Sequence, residues 1–543
     1  MTDILRAELA RVAGLLGAEG AAFVLERPRD AGHGDLATNL AMVVARARKA
    51  NPRQIAEQVI AALELPPSVV SRTEIAGPGF INFWLARDQL ARLLQTILSE
   101  GPAFGRADFG AGRRVNVEFV SANPTGPLHV GHGRGAAMGD GIAALLEWSG
   151  HTVTREFYIN DAGVQIDRLA QSLWARVQQA VGREADIPEG GYHGGYLRET
   201  AEQVIATEGR GFADLPAAEG VRRCRAIALS TQRAEQDLLL ADFGVHFDVL
   251  ASEQAIYDRH GIERTLELLA TRGLTYEKDG ALWLRTTDFG DDLDRVLRKQ
   301  DGSFTYFVPD IAYHVDKHDR GFDRVIDIWG ADHHGYVPRM RAALAALGYP
   351  ANFFDVAIVQ LVKVVRGGEE VKMSKRSGEF VTLRDLLDWV GVDAARYFFL
   401  MRRGDAQFVF DIDLAKSQTD ENPVFYVQMA HARMCGIFRN AGERPEAVGG
   451  DVSALPADQD TELLKKLAIF PETVARAARE LEPHRITGYL EELARVAHAW
   501  YHGCRVLGEA PEVQSARLAL ARATQVVLAN GLTLLGLRAP ERM

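Results

Sequence analysis

RVNVEFVSANPTGPLHVGHGR, residues 114–134, decides how the fold is read. Val115, Val117 and Phe119 alternate as a strand requires, SANPTGP makes a turn, and from about Leu128 a helical pattern runs to Trp148. Gly131, Gly133 and Gly135 lie on the first turns of that helix. Strand, glycine-rich turn and helix open a nucleotide-binding βαβ unit, and ligands of doubly wound sheets sit at the carboxyl ends of such strands. The stretch has no dinucleotide-type GxGxxG and no Walker lysine, so another device must hold the ligand. His129 and His132, at i and i+3, share one helix face. They can be a metal pair, although only Asp140 is near as a further ligand. They can cap the helix. They can also add donors to the unpaired N–H groups and dipole of a helix start, an anion site that glycines let a nucleotide approach. The stretch alone leaves all three open.

Around this unit the 543 residues are too many for one ordinary domain, and about three to four units are expected. Residues 1–110 read as a small mixed α/β unit. GDLATNLAMVVARARK puts Leu36, Leu40, Val43 and Ala47 on one helix face, a second helix follows Pro52, and 69–75 with 80–85 form a hairpin around GPG. In 111–420 the α/β pattern is split by a mostly helical stretch, about 165–300. Strands are expected again at 281–285, 305–308, 325–329 and 354–361. From 421 to 543 the patterns are helical, as in a separate bundle.

Composition removes other classes. No window of about 18 uncharged apolar residues exists, so no membrane partner is expected. MTDILRAELARVAG does not read as a signal peptide, which makes a cytoplasmic protein the expectation. Cys224, Cys435 and Cys504 are too scattered for a disulfide framework or a thiolate zinc site. Net charge is −11, yet 1–110 and 421–543 are near neutral, so each end can still present a basic face to a polyanion. Arg46, Arg48, Lys49 and Arg53 form such a group, or a merely solvated helix face.

A second constellation bears on the histidines. GGEEVKMSKRSGEF carries Lys372, Lys375 and Arg376 on a glycine-flanked loop. A run of this kind is usually a solvated face. Cations on a loop can also follow charge that develops on a phosphate during reaction.

HVGH (129–132) and KMSK (372–375), about 240 residues apart, resemble the two signatures of class I aminoacyl-tRNA synthetases. The rest of the chain is similar to bacterial arginyl-tRNA synthetases nearly end to end, through HGDLATNLAM, AGPGFINF, EFVSANPTGPLHVGHGR, FYINDAG, TYFVPDIAYH, WGADHHGYVPR, VKMSKRSGEF, ENPVFYVQMAHAR and APERM. One departure is small: the family's helical domain is named for Asp-Ala-Leu-Arg, and residues 393–396 read DAAR. The resemblance implies an α/β fold: a class I Rossmann-type catalytic domain with a parallel sheet, a small α/β N-terminal domain and an all-α anticodon-binding bundle. It also implies an ATP-dependent ligase that makes arginyl-adenylate and transfers arginine to the 3′ end of tRNA(Arg), with Mg2+ accompanying ATP.

Carried over by position, His129, His132, Lys372 and Lys375 are the catalytic candidates. Thr125, Gly126, Leu128, His129, Gly131, His132, Met373, Ser374 and Lys375 are the ATP-binding ones. Glu118, Ser121, Asn123, His129, Tyr306, Asp310 and His333 are expected around arginine, whose five-donor fork calls for carboxylates. Glu118 can instead pair with Arg134, and Tyr306 can be ordinary core. Tyr426, Gln428, His431 and Arg433 are candidates for the anticodon arm, and the N-terminal unit for the tRNA elbow. No protein metal site is expected, no editing domain is demanded, and nothing requires more than a monomer. The rivals are another ligase of the class, such as one for cysteine, a silent tRNA-binding relative, and a small-metabolite adenylyltransferase.

Overall fold

The strand at 114–118 forms because its residues are buried on both faces, as a central parallel strand requires. In the computed structural model, which describes residues 2–28, 31–160, 164–371, 380–445 and 449–543, β1 (Arg114–Glu118) is the middle of a five-stranded sheet. The other strands are β2 (Thr152–Ile159), β3 (Val249–Ser252), β4 (Arg324–Gly330) and β5 (Phe354–Val359). Every pairing is parallel and the spatial order is β5-β4-β1-β2-β3. The chain therefore reverses direction across the sheet between β1 and β4, which opens a crevice at their carboxyl ends. Helix α1 (Val130–Trp148) covers β1, and a Cβ at Gly139 would collide with the Phe119 ring. Helix α2 (Phe307–Asp319) leads into β4.

Two expected strands lie elsewhere. Ala281–Leu284 pairs with Thr275–Lys278 and Arg295–Arg298 in a separate antiparallel sheet, and 305–308 enters α2. TYFVPD mimics a strand, but Pro309 and Asp310 are first-turn residues, where a missing N–H costs nothing and a carboxylate suits the dipole. The stretch 165–300 is not one insertion either, because β3 returns to the main sheet from within it. VLAS is too short to announce this by periodicity.

The N-terminal unit has an antiparallel four-stranded sheet and its own core, with Leu9, Val44, Val59 and Phe83. Leu36 lies in a strand, not in the following helix, which starts at Leu40 and buries Leu40, Ala41, Val44 and Ala45 while Ala47 is exposed. By packing this unit ends near Leu85, not at 110. Helix Arg87–Glu100 sends Leu90, Leu94 and Ile97 into the main core and rests on Pro511–Leu534. The C-terminal helices are Pro423–Ala441, Asp458–Leu467, Phe470–Glu480, His484–Gly503 and Pro511–Leu534. The run 461–480 is two helices, since Pro471 opens the second. Among the described residues, no helix is long and apolar enough to cross a membrane. The three cysteines are buried and unpaired.

Candidate active site

Past β1 the backbone twists into the left-handed region at Val120 (φ 68°) and Ser121 (φ 40°). For a β-branched residue this is strained, and such strain persists only where the surroundings over-determine it. Here the Ser121 hydroxyl accepts from the Tyr158 N–H at 3.1 Å and donates to Glu118 at 2.9 Å. The turn then delivers His129 as the N-cap of α1. His129 Nδ1 accepts from the His132 N–H and His132 Nδ1 from the His129 N–H, both at 3.2 Å, with the rings stacked 3.6 Å apart. An imidazole whose Nδ1 accepts must carry its proton on Nε2. The caps thus fix both tautomers. Burial lowers both pKa values, that of His132 to about 3, helped by the neighbouring His129. The result is a pair of neutral N–H donors at a helix N-terminus. Capping, one of the alternatives open in the sequence, is carried out by both rings through Nδ1, and it leaves each Nε2–H free of the cap. Gly131 keeps the arrangement open, since a Cβ there would lie 2.9 Å from the His129 ring.

These donors face a cavity of about 430 Å³ that Asn123, Thr125 and Gly126 also line. Leu128 is buried and does not line it; its carbonyl accepts from the Leu383 N–H at 2.8 Å. The opposite wall is a segment that sequence reasoning passed over, YHGGY (192–196), whose Tyr196 hydroxyl donates to the Thr125 carbonyl at 2.6 Å. Its signal was a double glycine between tyrosines inside an apparently helical stretch. Lys372, Met373, Ser374 and Lys375 lie outside the described residues. Among the described residues, no group of three or more His, Cys, Asp or Glu could hold a metal ion.

A second cavity, about 230 Å³, opens at the β1–β4 reversal and brings together Glu118, Ser121, Asp310 and His333. Glu118 does not pair with Arg134, whose guanidinium donates to the carbonyls of Gln360, Arg403 and Ala406 at 2.8–3.1 Å. Its partner is Lys317, at 2.5 Å, which also reaches Asp327 at 3.0 Å. Asp310 accepts from the Tyr336 hydroxyl at 2.6 Å. Burial raises the pKa of Asp310 and of Glu118, in the latter against the pull of Lys317. Burial works against the Asp327 charge too, but Lys317 and His314 hold its pKa below the ordinary value. Three expected arginine residues are not in this cavity. Asn123 and His129 line the first one, where the Asn123 amide donates to Gln165 at 2.7 Å. Tyr306 is 84% exposed; just ahead of the first turn of α2, it borders a third cavity with Tyr257 and Gln165 instead of packing as core.

A donor-lined cavity at the start of α1 and a carboxylate-lined one at the switch point suit a nucleotide and a cationic amino acid. Three family models cover the chain: the arginyl tRNA synthetase N terminal domain at 1–85, the class I (R) tRNA synthetase catalytic domain at 93–409, and the DALR anticodon binding domain at 427–543. The chain belongs to the arginyl-tRNA synthetases. It is 52% identical to the arginine–tRNA ligase of Syntrophotalea carbinolica over 96% of this chain and 94% of that one. To that of Bacillus licheniformis it is 48% identical over 100% and 99%. The solved arginyl-tRNA synthetase of Thermus thermophilus superposes with a TM-score of 0.79 at 25% identity, each chain fully covered. As an arginine–tRNA ligase, the chain is an ATP-dependent class I synthetase with an N-terminal domain and a helical DALR domain, which removes the cysteine ligase, silent-relative and small-metabolite readings.

In the DALR domain the anticodon candidates fall into two groups. Gln428 and His431 are buried and engaged with the C-terminal tail: Gln428 donates to Asp393 and to the Arg538 carbonyl, both at 3.0 Å, and His431 to the Pro540 carbonyl at 2.9 Å. Their face of the helix is turned inward, toward that tail. Arg433 is half-buried and donates to His498 at 2.7 Å, while the Tyr426 ring lies 4.5 Å from that of His498.

Proposed function

We propose that the carboxylate cavity holds the arginine side chain and the histidine-lined cavity holds ATP, so that the turn between β1 and α1 brings the two substrates together. The observation that carries this is the neutral Nε2–H pair of His129 and His132, one turn of chain away from Glu118. Asp310 and Glu118 accept from the guanidinium fork, with Ser121 and His333 toward the amino-acid backbone. Asn123 and His129 reach the α-amino and carboxyl groups of arginine from the histidine-lined cavity, and Tyr306 stands farther out, at the third cavity.

The arginine carboxylate attacks the α-phosphorus in line and pyrophosphate leaves; the terminal ribose hydroxyl of tRNA then attacks the adenylate carbonyl and AMP leaves. Alignment and charge stabilisation are the protein's tasks, with His129 and His132 donating to phosphate oxygens and Lys372 and Lys375 following the developing charge. Mg2+ arrives with the nucleotide, whose phosphates are its natural ligands. Residues 421–543 hold the anticodon arm, with Tyr426 and Arg433 as the candidates left at the surface, and the N-terminal unit meets the tRNA elbow. The enzyme works as a monomer in the cytoplasm.

A lysine in the cavity leaves a carboxylate poorly paired, at a cost of about 3–5 kcal/mol, or roughly two to three and a half decades of discrimination, so no hydrolytic correction is needed. Pyrophosphate exchange with each of the twenty amino acids, with and without tRNA, tests the reading. Exchange with arginine alone, and only with tRNA present, is expected; exchange with another amino acid, or none at all, refutes it. Asp310→Ala should raise the KM for arginine far more than that for ATP, and Lys375→Ala should slow adenylate formation by decades at nearly unchanged arginine affinity.

A further inference from the structure

Asp310, Tyr313, His314 and Lys317 recur at three- and four-residue spacing, so they form one stripe of α2 turned toward the ends of β1 and β4. Lys317, at the end of the stripe, is 0% exposed. Its ammonium lies 4.4 Å from the Tyr313 ring centroid and bridges Glu118 Oε2 and Asp327 Oδ1. Glu118 and Asp327 are register partners on adjacent strands. Side by side, two carboxylates repel, and the bridge makes the pair tolerable. It also leaves Glu118 with one oxygen held by Lys317 and the other by the Ser121 hydroxyl, so the plane of its carboxylate is fixed. Across the cavity the Tyr336 hydroxyl holds one oxygen of Asp310, Oδ2. A planar fork gains from two acceptors only if their spacing and orientation are set in advance.

We propose that Lys317 is a positioning residue for amino-acid selection: by clamping Glu118 against Asp327 on β4, it fixes Glu118 as the second acceptor, opposite Asp310, for a planar cationic side chain. The inference rests on the assignment of this cavity to arginine. A purely structural Lys317 would neutralise the two carboxylates and do nothing more, and the two roles differ in what they leave behind when charge balance is kept.

Lys317→Met combined with Asp327→Asn removes one charge of each sign. In aminoacylation by the full-length enzyme, the KM for arginine should rise at least about tenfold while that for ATP stays within about twofold. The preference for arginine over citrulline, its uncharged isostere, should fall by about tenfold when citrulline is used as a competitive inhibitor. An unchanged arginine KM, or arginine and ATP weakening in parallel, overturns the proposal. If the double variant does not fold, Lys317→Leu combined with Asp327→Asn, which keeps the same charge balance and also leaves Glu118 without the clamp, is read by the same two outcomes. Asp310→Ala separates the levels. If it leaves the arginine KM unchanged, the cavity assignment fails; if it raises that KM and the Lys317 variants do not, only the clamp fails.

Discussion

Each ring of the His129 and His132 pair caps the other's backbone N–H, so neither can be altered as a side chain alone. His132→Asn keeps an acceptor for the His129 N–H and should fold, but it removes the Nε2–H donor proposed to meet developing phosphate charge. Pyrophosphate exchange should drop by about two to three decades. Gly131→Ala pushes a methyl group against the His129 ring and should lower exchange by about tenfold with the fold retained. Acid should destabilise the pair. Below pH 6.5 the unfolded imidazole of His132 binds a proton that the folded one refuses until about pH 3. Over that range the unfolded state binds more protons, so stability falls as pH falls. Urea titrations between pH 7.5 and 5 should show this loss, with a shallower slope in His132→Asn. At this scale the sequence was most informative for residues whose types are forced by chemistry: Glu118, Ser121, Asp310 and His333 do share one cavity. Lys317 was invisible, because nothing local distinguishes a buried lysine in HVDKHDRG from a solvated one. Its partners are supplied by two strands far away in the chain.

At the scale of elements, the alternating and 3.6-residue patterns near β1 and α1 gave boundaries close to those observed, and the errors cluster where an element is short or its first turn is apolar. β3 is four residues long, and TYFVPD has the alternation of a strand with the proline of a helix start. The strained turn at Val120 and Ser121 had no sequence signal, since valine is an improbable residue at positive φ. Val120→Gly should relieve that strain and raise the melting temperature, by an amount matching about 1 kcal/mol. The same change frees the turn that aims Ser121 at Glu118, so the KM for arginine should rise severalfold. A melting temperature that falls would show that the Val120 side chain, which lines the carboxylate cavity, contributes more by packing than its backbone costs.

For the whole molecule, the DAAR segment is where the parts meet. Arg396, fully buried, pairs with Asp140 of α1 at 2.5 Å and donates to the carbonyls of Phe243 and Leu535 at 3.1 Å each, while Asp393 takes Gln428 and Arg538. Ala395 is buried beside it without disturbing these bonds. Arg396→Met should cost about 3–5 kcal/mol, because a carboxylate and two carbonyls lose their donor together. Urea unfolding followed by fluorescence and by activity should then separate into two transitions where the parent shows one. The N-terminal unit has a further tie, Asp35 to Lys465 at 2.7 Å, between residues that a linear reading places in different domains. The three-part organisation was legible because each part has its own periodicity; the joints were not, because they combine a core shared by helices distant in the chain with ion pairs between residues far apart.

The carboxylate-lined cavity has a practical consequence for how this protein is handled. Guanidinium chloride, the usual alternative to urea, is the free head group of the amino acid that the cavity is proposed to take. At concentrations far below those that unfold proteins it should compete with arginine, and by mass action it should first raise the melting temperature before lowering it. A biphasic response to guanidinium, absent with urea and lost in Asp310→Ala, would make a denaturant into a reporter of the empty pocket.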